Sequence, residues 1–456
     1  MIEWSRTEYL EMPKRGIDTV SDLSKIVRKR MISLGRACPS LQALHDLFQT
    51  LFSASLYREE AADLLFDIVI LDPAEPDPNP PPQPTLDRWD SYSFSTPLQA
   101  SLQNIVKLAR ASDRRASSFA VYYDVKTAWY IWGMVDQADR YYSYLTRASD
   151  SGSARPGLFQ ASIAGPGHLI VYVEYEKLAE LRVDRLIAKT HDIFWRGPVH
   201  EKLLPGIESY ITKVISTVGA SKFHKRGHWT GSLAGYWINS LCDLLLRVQG
   251  LKHGGALLLN PGNEDHLKIK YRLQYDRLRS SLFRRAVLHI DNTDVSDMIF
   301  EEVLDTKSNE VPVDYYLDES ITASDIREND REISGALWFI ACLSRVDGLI
   351  VIDKDLTVLG FGAEITVNEI PKIVVQARSR LGGTIAAPRL DYEHFGTRHR
   401  SMIRYIGQNS NSIGFVISQD ASVRAVTQVG GKVVVWDDLK LHRQSRARVR
   451  RSGSKS

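Results

Sequence analysis

The sequence predicts a protein of the α/β (α+β) class. A mixed β-sheet flanked by helices is expected in the C-terminal part, and an α+β region with antiparallel hairpins in the N-terminal part. Three observations predict this class. The chain has 456 residues, 43% hydrophobic and 25% charged, so it can bury a large core and is long for one domain. Paired runs of aromatic and β-branched residues lie between 119 and 175. After residue 230, apolar helical patterns alternate with short buried strands.

The cysteine content and the apolar runs exclude several classes of protein. Cys38, Cys242 and Cys342 are odd in number and far apart, which is typical of reduced thiols and not of a disulfide framework or a zinc site. The N-terminus lacks the pattern of a signal peptide. No apolar run reaches the roughly 18 residues of a membrane span. We therefore expect a cytoplasmic protein that does not cross a membrane.

The basic residues are unevenly distributed along the chain. Residues 440–456 contain seven Lys or Arg and no acid, whereas 51 bases face 55 acids in the rest of the chain. A tail of this composition is typical of a solvated, disordered segment, and contact with nucleic acid, an acidic partner or a membrane surface is the alternative.

Residues 1–71 are predicted to be a helical segment. Apolar residues recur at helical spacing at Leu41, Leu44, Leu47 and Phe48. Residues 61–70 form a second apolar stretch, which we also expect to be helical. Seven prolines fall between 72 and 84, and proline fits neither a helix interior nor an inner strand. Residues 72–88 are therefore predicted to be an extended linker or surface loop.

Residues 89–215 are predicted to form a sensor-like α+β domain. A helix is expected over 97–111, and another from Lys177 onward. The strands of two hairpins are expected at Phe119–Val125, Trp129–Val135, Leu158–Ala164 and Leu169–Tyr175. Modules of this kind often bind or sense a small ligand, but a purely structural sheet fits the pattern equally well. The aromatic residues of this region likewise fit core packing or a stacking site.

Residues 220–438 are predicted to form a second domain. Helix Leu233–Gln249 leads through glycines to strand Ala256–Leu259, and helix Ile333–Arg345 leads through Gly348 to strand Leu349–Ile352. The other expected elements are strand Leu356–Gly360, helix Ile370–Leu381, and strands Ser412–Ile417, Val423–Val429 and Lys432–Trp436. This alternation predicts a mixed sheet flanked by helices.

Two short motifs in the second domain carry chemistry. The segment Gly396-Thr397-Arg398-His399-Arg400-Ser401 places two arginines around a histidine, and a guanidinium group suits phosphate oxygens. Asp347-Gly348 lies at the entrance of a predicted strand, where a carboxylate suits a metal ion or a hydroxyl group to be activated. Together the motifs predict a site for a nucleotide triphosphate.

These motifs are similar to those of a known family. Residues from about 330 to 437 resemble the diadenylate cyclase domain of the DisA N-terminal type. Its DGA, GTRHR and SEE motifs correspond to Asp347-Gly348-Leu349, the segment 396–400 and Ser418-Gln419-Asp420. Residues 360–365 resemble a variant found in cyclase-like proteins with an N-terminal probable sensor domain of the DACNV type. The whole chain fits that two-part layout.

The resemblance implies an enzyme that condenses two ATP molecules into cyclic di-AMP under the control of the N-terminal region. It implies that Asp347 and Gly348 are catalytic, and that Mg²⁺ or Mn²⁺ is held by Asp347, His399 and Asp420. The implied phosphate-binding residues are Gly396, Thr397, Arg398, His399, Arg400 and Ser401. Each domain of this family holds one ATP, so a face-to-face homodimer is expected. An unknown small ligand would bind the N-terminal region.

Three positions depart from the family motifs. Leu349 replaces a small alanine and would crowd the nucleotide. Gln419 replaces one acid of the late motif, which leaves Asp420 to act for the second, and Ser401 replaces an alanine. The alternative function is therefore a catalytically degenerate sensor of the same fold that binds a nucleotide without turning it over.

Overall fold

The computed structural model describes residues 18–75, 89–114, 116–124, 128–136, 158–173, 176–187, 191–224, 227–262, 264–306, 313–382, 389–418 and 422–441. These residues fall into two compact units, one from the chain before residue 190 and one from 190 to 443. The basic tail from 442 onward and most of the proline-rich segment lie outside the described residues. No described helix has both the length and the apolar character that a membrane span requires.

The first unit is a β-sheet with helices packed against one face. Its helices are α1 (Val20–Ser33), α2 (Leu41–Ser55) and α3 (Leu102–Leu108). Its strands are β1 (Arg58–Glu59), β2 (Ala62–Asp63), β3 (Asp67–Ile70), β4 (Asp90–Gln99), β5 (Ser117–Tyr123), β6 (Trp129–Asp136), β7 (Phe159–Gly165), β8 (His168–Val173), β9 (Glu176–Arg182) and β10 (Arg185–Ile187). β1 and β2 form a small ribbon, and the other strands form a sheet of order β10-β9-β8-β7-β3-β5-β6-β4. β3 and β5 pair in parallel, and the other neighbours are antiparallel.

The two N-terminal helices are held by caps and by burial of their apolar faces. At the start of α1 the Asp22 carboxylate accepts a hydrogen bond from the Thr19 N–H at 3.1 Å, and the Ser40 hydroxyl accepts one from the Ala43 N–H of α2 at 3.1 Å. The apolar side chains buried with the sheet include Leu23, Val27 and Met31 of α1 and Leu44, Leu47 and Phe48 of α2. The predicted helical spacing in α2 is therefore confirmed.

Two stretches of the first unit that were expected to be helical are strands. Residues 61–70 form β2 and β3, and β3 lies between β7 and β5 in the sheet. The chain from Lys177 onward forms β9 and β10. Both stretches contain good helix formers, but strand pairing and burial outweigh the local preference. The expected helix over 97–111 is shorter, because residues 97–99 end β4 and α3 begins at Leu102. The two predicted hairpins are confirmed as β5–β6 and β7–β8.

The second unit is a mixed sheet with helices on both faces. Its helices are α4 (Pro198–Val218), α5 (Ala220–His224), α6 (Trp229–Gly250), α7 (Arg277–Thr306), α8 (Val313–Leu343) and α9 (Thr397–Gln408). Its strands are β11 (Gly255–Leu259), β12 (Leu267–Tyr275), β13 (Leu349–Ile352), β14 (Val358–Ile365), β15 (Val374–Gln376), β16 (Ile413–Ile417), β17 (Val423–Val429) and β18 (Lys432–Trp436). The sheet order is β12-β14-β13-β11-β16-β17-β18-β15. β11 pairs with β13 in parallel, and so does β15 with β18.

Both faces of this sheet are buried, so alternate residues of the central strands point into different cores. Leu257 of β11 belongs to a core formed with α4, α6, α7 and α8, whereas Leu258 belongs to a core closed by α9. In β13, Ile350 likewise belongs to the first of these cores and Val351 to the core closed by α9. Side chains of a strand alternate between the two faces, and burial on both sides explains why these strands are almost entirely apolar.

Two expectations for the second unit differ from the structure. The helix expected over 370–381 is wrong: residues Val374–Gln376 form β15, because their β-branched side chains pair with β18, a strand that lies far along the chain. The unit also begins at 190 and not at 220, since α4 packs against α6 and α7. The predicted α6, α8, β11, β13, β16, β17 and β18 are confirmed.

Gly348, at the entrance of β13, has a conformation and a setting that only glycine fits. Its φ is +113°, in the region that L side chains rarely adopt. A Cβ atom at this position would lie 2.5 Å from the carbonyl carbon of Gly362 and 2.8 Å from the nitrogen of Ala363. The strand entrance therefore depends on close backbone contact with β14.

We expect Gly348→Ala to destabilise the second unit by about 2 kcal/mol or more, because strain and the backbone clash add. In a unit of this size that lowers the melting temperature by about 4 °C or more in scanning calorimetry. Gly335→Ala is the matched control: Gly335 lies inside α8, with no atom within 4 Å of a built Cβ. It should raise stability by about 1 kcal/mol. An unchanged melting temperature for Gly348→Ala would contradict the argument.

Candidate functional site

Several strand ends meet at one end of the sheet in the second unit. β16 runs antiparallel to β11, so that Ile417 lies opposite Gly255, and Ile417 also pairs with Val423 at the start of β17. Trp436 at the end of β18 pairs with Ala425 of β17. The entrance of β13 and the end of β15 lie at this same end, because these strands run parallel to β11 and β18. Residues that are distant in sequence are therefore neighbours here.

The motif 396–401 begins helix α9 at this end of the sheet. Gly396 is the N-cap residue and has no side chain to cap the helix. The N–H groups of His399 and Arg400 donate to the Gly396 carbonyl at 3.0 and 3.2 Å. The N–H groups of Thr397 and Arg398 precede these bonds and have no intrahelical acceptor. The positive end of the helix dipole and these donors suit an anion.

Asp347 and Arg398, the two motif residues that we expected to act together, are in contact. The Nη2 group of Arg398 donates a hydrogen bond to Asp347 Oδ1 at 3.2 Å. The Asp347 side chain is 94% exposed, so the carboxylate lies at the surface and not in the core. An exposed pair of this kind contributes about 0–1 kcal/mol, and a phosphate group can therefore displace it from Arg398 at little cost.

His399 is buried beneath this pair and accepts a hydrogen bond from an arginine that the motif analysis did not identify. His399 is 8% exposed. Its Nε2 lies 3.0 Å from Arg424 Nη1 and 3.4 Å from Ser418 Oγ. A guanidinium can only donate, so Nε2 is the acceptor and the ring proton is on Nδ1. A metal ion or phosphate would have to compete with Arg424 for this nitrogen.

Arg424 is itself held from three sides. Its Nε donates to Asp437 Oδ1 at 2.5 Å, and Gln376 Nε2 donates to Asp437 Oδ2 at 2.8 Å. Its guanidinium lies 4.7 Å from the ring centre of Phe395, a cation–π contact. Both charged side chains are less than one-fifth exposed. The signal that could have found Arg424 is a charged residue within the apolar strand run 423–429.

The remaining motif residues occupy the first turns of α9. Thr397 is exposed, whereas the Ser401 hydroxyl donates to the Arg398 carbonyl at 3.2 Å and is used within the helix. Arg400 and Arg404 are one turn apart and half-buried, and among the described residues neither Nε has a hydrogen-bond partner. The two other arginines of the site, Arg398 and Arg424, are each paired with an aspartate.

The described residues do not form a metal cage. No group of three His, Cys, Asp or Glu side chains suited to a metal ion occurs among them, and Asp420 and Gln419 lie outside them. Among the described motif residues, Asp347 thus supplies an exposed carboxylate that could contact a metal ion. Mg²⁺ is commonly held by one or two carboxylates together with substrate phosphates, so this residue fits an ion that arrives with a nucleotide.

Leu349, which replaces the alanine of the family motif, does not project into the site. It is 5% exposed, lies opposite Ala363 of β14, and belongs to the core closed by α9. Leu349 is therefore part of the packing beneath α9, and its effect on a bound nucleotide stays a prediction.

The first unit contains a buried polar network on the face of its sheet opposite α1 and α2. Asp67 accepts hydrogen bonds from Arg114 Nε at 3.0 Å and Gln160 Nε2 at 2.8 Å. Burial raises the pKa of Asp67, although Arg114 acts in the opposite direction. Glu180 is equally buried, but Lys177, His168 and Arg182 outweigh its desolvation and hold its pKa well below the usual range.

Trp129 and Trp132, two of the aromatic residues of the first unit, are packing residues. Trp129 and Trp132 are each 5% exposed. Their indole N–H groups donate to the carbonyls of Ala43 at 2.7 Å and Leu71 at 2.8 Å. Tyr141, Tyr142 and Tyr144 lie outside the described residues.

Comparison with known proteins finds one family in this chain. Residues 35–136 match the family model described as "Probable sensor domain DACNV". This stretch runs from the residues just after α1 to the end of β6, within the first unit. No diadenylate cyclase catalytic domain is matched in the second unit. No curated protein and no solved structure matches the chain.

The contact between Arg424 and His399 generates a spectroscopic prediction. Arg424→Met should release Nε2, and the ring should then populate the Nε2–H tautomer that wild type disfavours. Long-range ¹H–¹⁵N spectra report the tautomer, with the His399 signals assigned by their loss in His399→Gln. Arg398→Met is the control and should leave the tautomer unchanged, because Arg398 pairs with Asp347. The same tautomer in wild type and Arg424→Met would contradict the assignment.

Proposed function

We propose that the second unit binds ATP at the start of α9 and that the protein condenses two ATP molecules into cyclic di-AMP, with the first unit as its sensor. The observation that carries this proposal is the contact of 3.2 Å between Asp347, almost fully exposed, and Arg398. It brings an acid and a phosphate-binding group together at the open N-terminus of a helix. The resemblance of both motifs to those of diadenylate cyclases supports the same function.

Phosphate binding in this proposal uses the backbone and the arginines of α9. The N–H groups of Thr397 and Arg398 and the guanidinium of Arg398 would hold phosphate oxygens, in exchange for the weak surface pair with Asp347. Arg400 would add a second guanidinium from the first turn of the helix. His399 and Arg424 are largely buried, so they would position the residues of the site from below and would not be its main phosphate contacts.

The proposed reaction is a pair of nucleotidyl transfers. The 3′-oxygen of each ATP bonds to the α-phosphorus of the other, the bond from that phosphorus to the bridging oxygen of the β-phosphate breaks, and pyrophosphate leaves. The two hydroxyl protons pass to solvent. Positioning and neutralisation of phosphate charge lower the barrier to such a transfer. Asp347 would position the attacking hydroxyl or contact a Mg²⁺ or Mn²⁺ ion, which supplies charge neutralisation when bound.

The chain carries one copy of the motif set, so the reaction requires two chains. Two sites facing each other bring each hydroxyl to the opposite α-phosphate, and we therefore propose a face-to-face homodimer, at least during turnover. The match of residues 35–136 to a probable sensor domain supports a regulatory role for the first unit, with a small ligand as its signal.

A second candidate function is nucleotide binding without turnover. It is favoured by Gln419, which stands where the family motif has an acid. Leu349 is buried in the core, and the cyclase remains the first proposal because both motifs resemble those of diadenylate cyclases.

ATP affinity tests the site independently of turnover. Arg398→Ala should weaken ATP binding by about 10- to 100-fold in calorimetric titration, because a charge-assisted hydrogen bond contributes roughly 1.5–3 kcal/mol. Arg398→Lys should recover only part of this loss, since an ammonium group lacks the planar fork. Arg277→Ala is the control: Arg277 is an exposed arginine, paired with Glu332, at the start of α7. Equal ATP affinity in wild type and Arg398→Ala would refute the site.

Turnover separates the enzyme from the sensor. Purified protein with ATP and Mg²⁺ or Mn²⁺ should form cyclic di-AMP, detected by mass spectrometry, at a rate per chain that rises with protein concentration. Asp347→Asn should abolish product while leaving ATP affinity within a few-fold of wild type, because the lost group acts on the metal ion or the hydroxyl. Mixing Asp347→Asn with wild type should depress the rate below simple dilution. ATP binding without product under every condition would replace the enzyme by the sensor.

A further inference from the structure

The helical hairpin formed by α7 and α8 packs on the core only in its inner half. Leu278, Leu282, Ala286 and Ile290 of α7 and Ala336, Leu337, Ile340 and Ala341 of α8 belong to the main core of the second unit. In the outer half, residues 291–306 and 313–328, none of the side chains that the structure describes is buried. Helices in proteins are stabilised mostly by packing of an apolar face, and this outer half, which we call the hairpin tip, lacks such packing.

The hairpin tip is strongly acidic. Residues 291–306 and 313–328 contain eleven Asp or Glu and a single base, Arg327. Lys222 pairs with Asp291 at 2.7 Å and with Asp294 at 2.9 Å, which offsets part of the charge at the inner end of the tip. Like charges one turn apart destabilise a helix, so the tip is destabilised by its own charge.

The same tip exposes large apolar side chains. Six residues with exposed fractions between 45% and 69% are Met298, Phe300, Val313, Tyr316, Leu317 and Ile321. Val313, Leu317 and Ile321 lie four residues apart and therefore share one face of α8. Clustered exposed apolar side chains mark an interaction surface more often than isolated ones do. A fitting partner must offer apolar contact and positive charge together, which excludes a second acidic tip.

The first unit carries a surface with both properties. Lys25, Arg28, Lys29 and Ile32 follow the i, i+3, i+4, i+7 spacing of one helix face and line a groove together with Leu41 of α2. Its volume is about 340 Å³, which is the size of a site for a few large side chains. Ile32 and Leu41 are 56% and 39% exposed, so the groove between the basic residues is apolar.

We propose that the hairpin tip of one chain docks on the α1–α2 groove of a second copy of this chain. Phe300 and Leu317 would cover Ile32 and Leu41, while Asp314 and Asp318 would face Arg28 and Lys29. The basic tail from 442 onward matches the charge of the tip but offers few apolar side chains, and the groove therefore fits better. Such a contact joins different surfaces, so it closes into a ring or extends into a chain of copies. It does not depend on the proposed nucleotide chemistry.

A charge-swap experiment on the full chain tests this contact by analytical ultracentrifugation. Wild type should associate with rising concentration and dissociate with added salt. Arg28→Glu/Lys29→Glu and Asp314→Lys/Asp318→Lys should each weaken self-association by about tenfold or more, because each places like charges together. An equimolar mixture of the two variants should associate again, since the reversed tip then meets the reversed groove. Lys107→Glu, an exposed charge on α3, is the control and should leave association unchanged.

Hydrophobic contact provides a second, independent variant. Phe300→Ser removes an exposed apolar side chain, so it should weaken association without lowering the melting temperature. Wild type that stays monomeric up to about 100 μM, well above micromolar dissociation constants, would overturn the proposal. So would failure of the mixed variants to associate while each is folded by circular dichroism. Loss of association on removal of residues 442–456, with no effect of the groove variants, would assign the tip to the basic tail instead.

Discussion

The backbone contact between Gly348 and β14 is the constraint on which the candidate site depends. The positive φ of Gly348 turns the chain abruptly into β13, and Gly362 and Ala363 leave no room for a side chain there. Asp347 therefore lies outside the sheet and is almost fully exposed, while Leu349, two residues later, lies in the core. A carboxylate one step from a buried strand can be both rigidly placed and open to a ligand.

The candidate site contains two ion pairs, one largely buried and one exposed, and their contributions differ. The Arg424–Asp437 pair is largely buried and is completed by Gln376 and the ring of Phe395, as a buried pair must be if its desolvation is to be offset. The Asp347–Arg398 pair is exposed and contributes little. The first pair maintains geometry and positions His399, and the second can be exchanged for a phosphate group. The site thus combines a buried pair that fixes the position of His399 with an exposed pair that a phosphate group can displace.

Charge is distributed in this protein according to burial and location. In the first unit, Asp67 and Glu180 are buried and compensated: Asp67 by Arg114 of the turn before β5, and Glu180 by Lys177 and Arg182 of its own strand. Hydrogen bonds from Gln160 to Asp67 and between His168 and Glu180 connect β7 with β3 and β8 with β9. In the second unit, the hairpin tip has eleven Asp or Glu and one base in its sequence, and it carries exposed apolar residues. Compensated charge in a buried network indicates internal structure, whereas a strongly acidic segment with exposed apolar side chains indicates a partner.

The sequence by itself determined the elements whose local pattern agrees with their burial, and the motif that begins α9. The helix α2, the hairpins β5–β6 and β7–β8, and the strands β11 and β13 are predictable because their apolar spacing is also their packing face. The sequence also predicted that Asp347 and Arg398 belong to one site, since both lie in motifs that resemble those of one family, but it did not predict their contact. Only the tertiary structure decided that residues 67–70 and 374–376 are strands, because their partners lie far along the chain and outweigh local helix preference. Residues 176–182 pair instead with β8 and β10, their neighbours in sequence, and the apolar pattern did not indicate this pairing. It also decided the part played by Arg424, Asp437 and Gln376, which no motif contains. Arg424 contacts His399, and Asp437 and Gln376 support Arg424, because the start of β17 and the ends of β15 and β18 lie beside α9.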